Sequence, residues 1–270
     1  MLFQRIIIYA LAVGVFAGLN LSLVQYFGAT PIILAAEAFE FQPQPQQLQP
    51  HEHNGHSNDH YAPAHTHPGM SSGAALPWSP DNGIERTVYT LISNIFASIG
   101  FAAVMLALMC LLQLRGMTRL TPRRGMVWGG VGFIVFFVAP SVGLPPEIPG
   151  LEAAALEYRQ QWWLSSVLAA GVGIAMVIFC SPLFKAIGVA VAAVPHLLGA
   201  PHPQGPVFSH PDAAVVATLA DLQAQFIVAV SVSNLLFWLL LGVVCAWVLN
   251  NKLLDKRMVA GIQVDAAASH

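Results

Sequence analysis

The residues with the clearest potential for chemistry are six histidines that lie within 17 positions of one another. They are His51, His53, His56, His60, His65 and His67. Neutral imidazole nitrogen binds Zn²⁺, Cu²⁺, Ni²⁺ and Co²⁺, and a short chain segment of this kind can place two to four rings around one ion. This stretch, residues 51–67 and here called the His tract, is therefore predicted to bind a divalent transition metal.

Affinity from such a tract does not bring selectivity. Divalent metals follow a general affinity order in which copper binds most tightly, so a flexible imidazole cluster cannot by itself choose cobalt. We interpret the His tract as a collector that raises the local metal concentration, and a disordered polar loop without metal is the alternative. Because only neutral imidazole binds a metal, capture is expected to fail as the pH drops below about 6.

Two proline-containing stretches supply the other candidate metal ligands. Glu147 stands within Pro-Pro-Glu-Ile-Pro-Gly, where the prolines stiffen the backbone and can hold a carboxylate at the mouth of a bundle. His196 follows Pro195, and His202 lies six positions further along the chain. A rigid solvated loop is the alternative for Glu147, and an interfacial polar residue is the alternative for His196.

Several motifs of other protein classes are absent from the sequence. It contains no G-x-x-x-x-G-K-[ST], which argues against an ATP motor, and no H-E-x-x-H zinc-protease helix. The three cysteines, Cys110, Cys180 and Cys245, lie in apolar runs without C-x-x-C spacing and are interpreted as packing residues. We expect no enzymatic activity and no nucleic-acid partner.

The composition indicates the kind of element that positions these residues. The chain has 270 residues, of which 56% are hydrophobic and only 9% are charged. Soluble domains contain about 25% charged residues, so this chain has too little charge to cover a water-soluble fold of its size. The sequence predicts an all-α, polytopic membrane helical bundle in contact with the lipid bilayer.

Six apolar segments are candidates for membrane spans. They are residues 6–27, 91–112, 125–142, 162–180, 183–198 and 226–249. The fifth is short and contains Lys185 and Pro195, so about six spans are expected and five remain possible. Residues 37–83 include the His tract, have few large aliphatic side chains and are predicted to form a disordered external loop. The first segment could also be a cleaved signal peptide.

The distribution of Lys and Arg favours six spans. With six, the basic residues fall on the cytoplasmic side except for Arg86 and Arg159, and both termini are cytoplasmic. With five, the basic C-terminal tail would be exported, against the usual bias. In the six-span arrangement most histidines and carboxylates lie on the outer face, which is a surface suited to a cation.

Four motifs give the chain a resemblance to a known family. They are Gly-Ile-Glu-Arg at 83–86, Pro-Pro-Glu-Ile-Pro-Gly at 145–150, Arg-Gln-Gln-Trp-Trp at 159–163, and Pro-His at 195–196 followed by Gly-Ala-Pro at 199–201. In these the chain resembles the CbtA family, predicted cobalt transporter subunits of bacteria. The resemblance implies Co²⁺ uptake for cobalamin synthesis, a location in the bacterial inner membrane, and CbtB, a small single-span partner with its own histidines. Family members are usually described with about five spans.

Two functional hypotheses follow. The first is a membrane subunit for uptake of a divalent metal, most readily Co²⁺ with Ni²⁺ or Zn²⁺ possible, in which the His tract collects the ion and Glu147, His196 and His202 receive it. The second is a non-transporting metal-binding scaffold or sensor. The scarcity of ionisable groups deep in the spans favours the second, because ion pathways usually contain them. A membrane enzyme with a catalytic metal is a third, weaker idea.

Overall fold

The structure, a computed structural model, describes residues 2–40, 80, 83–118 and 121–253. Within these ranges all regular structure is helical, which confirms the predicted all-α class. The helices, in chain order, are α1 (Leu2–Gly28), α2 (Thr30–Glu40), α3 (Ile84–Leu114), α4 (Pro122–Phe133), α5 (Ala139–Gly143), α6 (Leu156–Phe179), α7 (Pro182–Leu198) and α8 (Ala213–Val248). The His tract lies outside the described residues.

Five helical stretches are long and apolar enough to cross a membrane. They are Leu2–Gly28, Ile84–Leu114, Pro122–Gly143, Leu156–Phe179 and Ala213–Leu253. Large apolar side chains on them face outward, among them Leu168 at 59% exposure and Val228 at 63%. Such exposure is costly in water and favourable in lipid. The fold is therefore the polytopic membrane helical bundle that the composition predicted.

The predicted fifth span, residues 183–198, corresponds to α7. This helix has 17 residues, about 25 Å at 1.5 Å per residue, and is shorter than the other five. It runs antiparallel to α6, as two contacts show. A Cβ on Gly173 would lie 2.5 Å from the Gly188 carbonyl oxygen, and near the other end the Trp162 indole N–H donates to the Pro195 carbonyl. We call α6 and α7 the hairpin. Whether α7 crosses the membrane, and hence whether there are five or six spans, stays a prediction.

The main bundle consists of α1, α3, α4 and α8, which pack through close glycine contacts. A Cβ on Gly18 would lie 2.7 Å from the Ile95 Cα, and one on Gly125 would lie 2.7 Å from the Gly242 carbonyl. Small residues let helix backbones approach in this way inside a membrane. Aromatic rings fill the centre, where Trp238 lies 5.1 Å from Phe136 in a stacked geometry.

The first residues of the segment 37–83, predicted as an external loop, are helical, because α2 continues to Glu40. Pro31 accounts for the break between α1 and α2, since its ring is tolerated at a helix start but not in a helix interior. The α2 helix buries Ala36 in a cluster that includes Leu219 and Phe226 of α8. The packing of this apolar face explains why the segment is helical.

A π-helical segment, Ile134–Val138, joins α4 to α5. The backbone N–H of Ala139 donates to the carbonyl of Ile134, five residues earlier. Pro140 follows immediately, and it has no N–H with which to continue the ladder. The segment is thus a local widening of one spanning helix, ending in a proline.

The antiparallel packing separates charge between the two ends of the bundle. One end, here the acidic end, carries the carboxylates Glu37, Glu85, Glu147, Glu152, Glu157, Asp212 and Asp221 together with Arg86 and Arg159. The other, the basic end, carries Arg5, Arg115, Arg123, Arg124, Lys185 and Lys252. The helices thus divide the charged side chains as the sequence pattern predicted.

Candidate metal-entry site at the acidic end

Glu147, a predicted ligand, lies in the loop between α5 and α6. Its carboxylate accepts a hydrogen bond from Nη2 of Arg159 in the first turns of α6, and the two side chains form an ion pair. They are 21% and 30% exposed, so the pair is only partly solvated. The Arg159 Nε is buried without a hydrogen-bond partner. The carboxylate is therefore held in place and neutralised by a guanidinium.

Gln223 of α8 holds the backbone on both sides of Glu147. The Ile148 N–H donates to Gln223 Oε1 at 3.0 Å, and Gln223 Nε2 donates to the Pro146 carbonyl at 2.6 Å. Ile148 itself is buried at 3% exposure. Our sequence reasoning missed Gln223. The available signal was an amide side chain three residues before the predicted last span, 226–249.

Trp162 joins the hairpin to the end of α5. Its indole N–H donates to the Pro195 carbonyl at 3.4 Å, and its ring lies 5.7 Å from the His196 ring at 78°. A Cβ on Gly143 would overlap the Trp162 ring, so only glycine fits there. The His196 Nδ1 is buried without a hydrogen-bond partner. One ring nitrogen of this predicted ligand is therefore unpaired inside the protein.

His202 lies exposed in the loop between α7 and α8. This loop is tied to the Glu147 loop, because the Glu152 N–H donates to the Val207 carbonyl at 2.9 Å and Ser209 Oγ donates to the Glu152 carboxylate at 3.0 Å. The two loops that carry Glu147 and His202 are thus one connected surface at the acidic end.

The structure brings together the motifs that are distant in sequence. The Glu147–Arg159 pair links the second motif to the third, and Trp162 links the third to Pro195 and His196. The predicted ligands are not gathered into one metal site, since no group of three His, Cys, Asp or Glu able to hold an ion occurs among the described residues. The assignment of Glu147, His196 and His202 as ligands stays a prediction, as does that of the His tract.

Arg86, the other arginine at this end, is also paired with a carboxylate. Its two terminal nitrogens contact the two Glu37 oxygens at 2.8 and 2.7 Å, in a bidentate arrangement that joins α3 to α2. Bidentate pairs of this kind are among the stronger ionic contacts. Arg86 and Arg159, the two arginines at the acidic end, are therefore each neutralised by a carboxylate. The remaining carboxylates leave this end with a net negative charge.

Polar side chains within the spans are few and mostly satisfied. Asn94 donates to Ser22 at 3.0 Å and to Gln25 at 2.7 Å across the α1–α3 interface. Ser98 and Ser166 differ, because both hydroxyls are buried without a partner. Our sequence reasoning did not single out Ser166, since one serine in an apolar helix is not distinctive.

Comparison with known proteins gives one informative result. Neither the curated proteins nor the solved structures yield a match. A family model described as "Probable cobalt transporter subunit (CbtA)" matches residues 3–250. Because that range covers nearly the whole chain, including every motif at the acidic end, the protein belongs to the CbtA family of probable cobalt transporter subunits.

Proposed function

We propose that the protein takes a divalent transition metal, Co²⁺ in the first place, across the bacterial inner membrane and into the cell. The observation that carries the proposal is the meeting of Glu147, Arg159, Trp162 and His196 at the acidic end of a bundle whose family is named for cobalt transport. Ni²⁺ and Zn²⁺ are the other ions that this donor chemistry suits.

The His tract serves this site as a collector. The described residues that flank it, Glu40 at the end of α2 and Gly83 before α3, both lie at the acidic end. An ion released from the tract therefore enters the negative field of the carboxylates there, which raises its local concentration. The imidazoles of the His tract capture the ion, and Glu147, His196 and His202 then bind it from this raised local concentration.

The Glu147–Arg159 pair acts as a gate for the ion. A carboxylate already paired with a guanidinium attracts a second cation weakly, so the metal must displace Arg159 before Glu147 can bind it. The Arg159 Nε is buried without a hydrogen-bond partner, so the contact with Glu147 uses only part of the donor capacity of the guanidinium. His196 stands beside the pair's helix, with a buried nitrogen available as the next donor.

Orientation follows from the charged ends. The basic end is cytoplasmic and the acidic end external, in line with the bias of Lys and Arg toward the cytoplasm. With α7 crossing beside α6, there are six spans and both termini are inside. The membrane potential, negative inside, then favours cation entry by about 2.3 kcal/mol per charge per 100 mV. The small single-span protein CbtB is the proposed partner.

A non-transporting scaffold or sensor is the second candidate. Among the described residues of the spans, the buried polar ones are Ser98, Ser166 and Ser233, and none is a carboxylate or a histidine. Ion routes through membranes are usually lined by ionisable groups, so this observation favours the second candidate.

The deciding experiment is uptake of labelled Co²⁺, with competing Ni²⁺ and Zn²⁺, in cells that lack other cobalt importers. The intact protein is compared with a variant carrying alanine at His51, His53, His56, His60, His65 and His67, and with Glu147→Ala. Glu157→Ala is the matched control, because Glu157 is an exposed carboxylate at the same end. Each is measured with and without CbtB.

We expect uptake by the intact protein and by Glu157→Ala, weaker uptake at low metal for the His-tract variant, and loss of uptake for Glu147→Ala. If no form moves metal although the purified protein binds it, the transport proposal fails and the scaffold takes its place. Equal loss in Glu147→Ala and Glu157→Ala would remove the special role of Glu147.

A further inference from the structure

Two buried hydroxyl groups within the spans have no hydrogen-bond partner. Ser98 in α3 is 0% exposed and Ser166 in α6 is 1% exposed. Burying a hydroxyl without a partner costs free energy, so each such group in a folded protein requires an explanation. The surroundings of the two serines differ, and the difference points to a function for one of them.

Ser98 lies in the main bundle among regular helices. Its neighbour Ile99 meets Gly14 of α1, and Ala102, one turn further along α3, belongs to the central apolar cluster. Both α1 and α3 are continuous α-helices without an internal proline, so no backbone carbonyl there loses its helical donor to a proline. Ser98 is therefore a small residue at a close helix contact, which is a common use of serine in membranes.

Ser166 lies between two contact faces of α6. Trp162 and Gly173 face α7, while Val167 and Ala170 pack against Val135 of the π-helical segment. At 3.6 residues per turn, position 166 is within about 40° of positions 162, 170 and 173 around the helix. Its hydroxyl therefore lies where α6 meets α7 on one side and the π-helical segment with α5 on the other. We call this junction the proline seam.

The name reflects a buried proline in each of the two elements that cover Ser166. Pro195 lies inside α7, so the carbonyl of Val191, four residues earlier, loses its helical donor. Pro140 in α5 has no N–H to donate to Phe136, four residues earlier, or to Val135, five residues earlier, and the N–H of Ala139 already bonds to Ile134. The carbonyl of Val191 in α7 and that of Val135 in the π-helical segment thus lack the helical donor that would regularly bond them.

Both carbonyls lie at about the depth of Ser166. In α7, Pro195 contacts Trp162 and Ala192 lies against Gly173. Ser166 lies between Trp162 and Gly173 on α6, so its level falls between these two contacts. On the other side, Gly143 lies against Trp162 and the Val135 side chain lies 3.8 Å from where a Cβ on Gly171 would stand. Helical carbonyls point toward the C-terminus, which for both elements is the direction of the Ser166 level and the acidic end.

We propose that the proline seam is the position at which the transported divalent cation binds inside the membrane, through the Ser166 hydroxyl and the carbonyls of Val191 and Val135. This inference rests on the proposed uptake function. Neutral oxygens replace part of the water shell of an ion without holding it tightly, which is what conduction requires. Ser166 lies about 6 Å, one helical turn, further from the acidic end than Trp162, whose ring contacts His196.

The first test compares Co²⁺ uptake in Ser166→Ala and Ser98→Ala. Both changes remove an unpartnered buried hydroxyl, so neither is expected to lower the thermal stability of the purified protein. Ser166→Ala is expected to slow uptake about tenfold, the effect of losing one contact of hydrogen-bond strength, while Ser98→Ala keeps the rate of the intact protein. A purely structural Ser166 would give the same uptake in both variants.

The second test asks whether water reaches the seam. In a background with Cys110, Cys180 and Cys245 replaced by alanine, Ser166→Cys and Ser98→Cys are treated with a charged, water-soluble thiol reagent. We expect Ser166→Cys to react and to be protected by Co²⁺, and Ser98→Cys to stay unreactive. An unreactive Ser166→Cys, or labelling that Co²⁺ leaves unchanged, would overturn the proposal.

The outcomes separate this inference from the proposed function. If the intact protein takes up Co²⁺ and both alanine variants match it, the proline seam is not the route and the uptake function stands. If the intact protein moves no metal, the uptake function fails and the seam proposal fails with it.

Discussion

The main bundle and the hairpin are built differently, although both are apolar helices of similar composition. In the main bundle, glycines bring backbones into contact and aromatic rings fill the centre, as Phe101 and Trp238 do at 4.9 Å. In the hairpin and its neighbour α5, two helices contain buried prolines. Of the five buried side-chain atoms without a partner among the described residues, those of Arg159, Ser166 and His196 belong to the hairpin, and those of Ser98 and Gln113 belong to α3 of the main bundle.

This difference indicates a division of labour. Unsatisfied polar groups and interrupted helices reduce stability, and proteins retain them mainly where function needs them. In the described part of the chain, unpartnered groups coincide with proline-interrupted helices only in and beside the hairpin, so we propose that the main bundle is the scaffold and that the hairpin is the region that handles the ion. The comparison can be tested by substitutions of equal size in the two regions.

The largest effect is expected from Gly129→Ala in the main bundle. The added Cβ would clash with the Trp238 carbonyl and lie 2.9 Å from the Leu239 Cα, so α4 and α8 would have to separate. Overpacking against backbone should lower the free energy of unfolding by about 3 kcal/mol or more. Thermal unfolding in detergent, together with the yield of monodisperse protein, measures the loss.

Gly130→Ala is the matched control, since no atom lies within 4 Å of the corresponding Cβ. It should leave stability unchanged or raise it by up to about 1 kcal/mol, because alanine favours the helix. Equal destabilisation by both substitutions would show that the close α4–α8 contact is not what holds the main bundle.

A smaller effect on stability and a larger one on transport are expected from Gly173→Ala in the hairpin. The new Cβ would lie 2.5 Å from the Gly188 carbonyl and 2.9 Å from Ala192 Cβ, which forces α7 away from α6. We expect a loss of about 2 kcal/mol, with the main bundle still folded. Co²⁺ uptake should fall well below the level explained by the amount of protein.

Gly171→Ala is the control for Gly173→Ala, because its Cβ would lie at an ordinary contact distance of 3.8 Å from Val135 Cγ1. Uptake by Gly171→Ala should match that of the intact protein. If Gly173→Ala transported normally while α7 was displaced, the hairpin would not be the region that handles the ion.

How far the sequence predicts this molecule depends on the kind of feature. Long apolar segments and the distribution of Lys and Arg are local properties, so the spans and the two charged ends could be predicted from them. The length of α7 leaves the span count undecided, because 17 residues are close to the minimum for a bilayer. The continuation of α2 to Glu40 depends on packing against Leu219 and Phe226, which sequence order does not reveal.

The candidate site shows the same limit. The motifs around Glu147, Trp162 and His196 were recognisable one by one. Their partners in space were not, and the Arg159 ion pair and the Gln223 clamp emerged only with the fold. Both depend on which helix faces which, and residues up to 77 positions apart are involved. A carboxylate that looks free in a sequence can therefore be neutralised in the structure.

A moderate effect is expected from breaking the two ion pairs of the acidic end, compared by double-mutant cycles. Replacing Glu147 and Arg159 by Gln and Met, singly and together, should give a coupling energy of about 1 kcal/mol, because the pair is partly exposed. The Glu37–Arg86 pair should give a similar coupling in unfolding measurements. Only the first pair includes a residue of the hairpin, Arg159 of α6.

Measurements of Co²⁺ uptake distinguish the Glu147–Arg159 pair from the Glu37–Arg86 pair. Removing Arg159 alone should change the Co²⁺ concentration dependence of uptake, since Glu147 then no longer has a competing partner. Removing Arg86 should leave that dependence unaltered. A shift of the same size in both variants would mean that the acidic end acts through its net charge and not through a specific gate.

The smallest effect is expected from Trp162→Phe. The substitution keeps an aromatic ring against His196 and Gly143 and removes the N–H that bonds the Pro195 carbonyl. At 3.4 Å this hydrogen bond is long, so its loss should cost about 0.5 kcal/mol. Trp163→Phe, at an exposed neighbouring position, should cost less and gives the baseline in the same thermal assay. If Trp162→Phe nevertheless slows uptake while stability barely changes, the bond positions α7 for transport, which a purely structural tryptophan would not do.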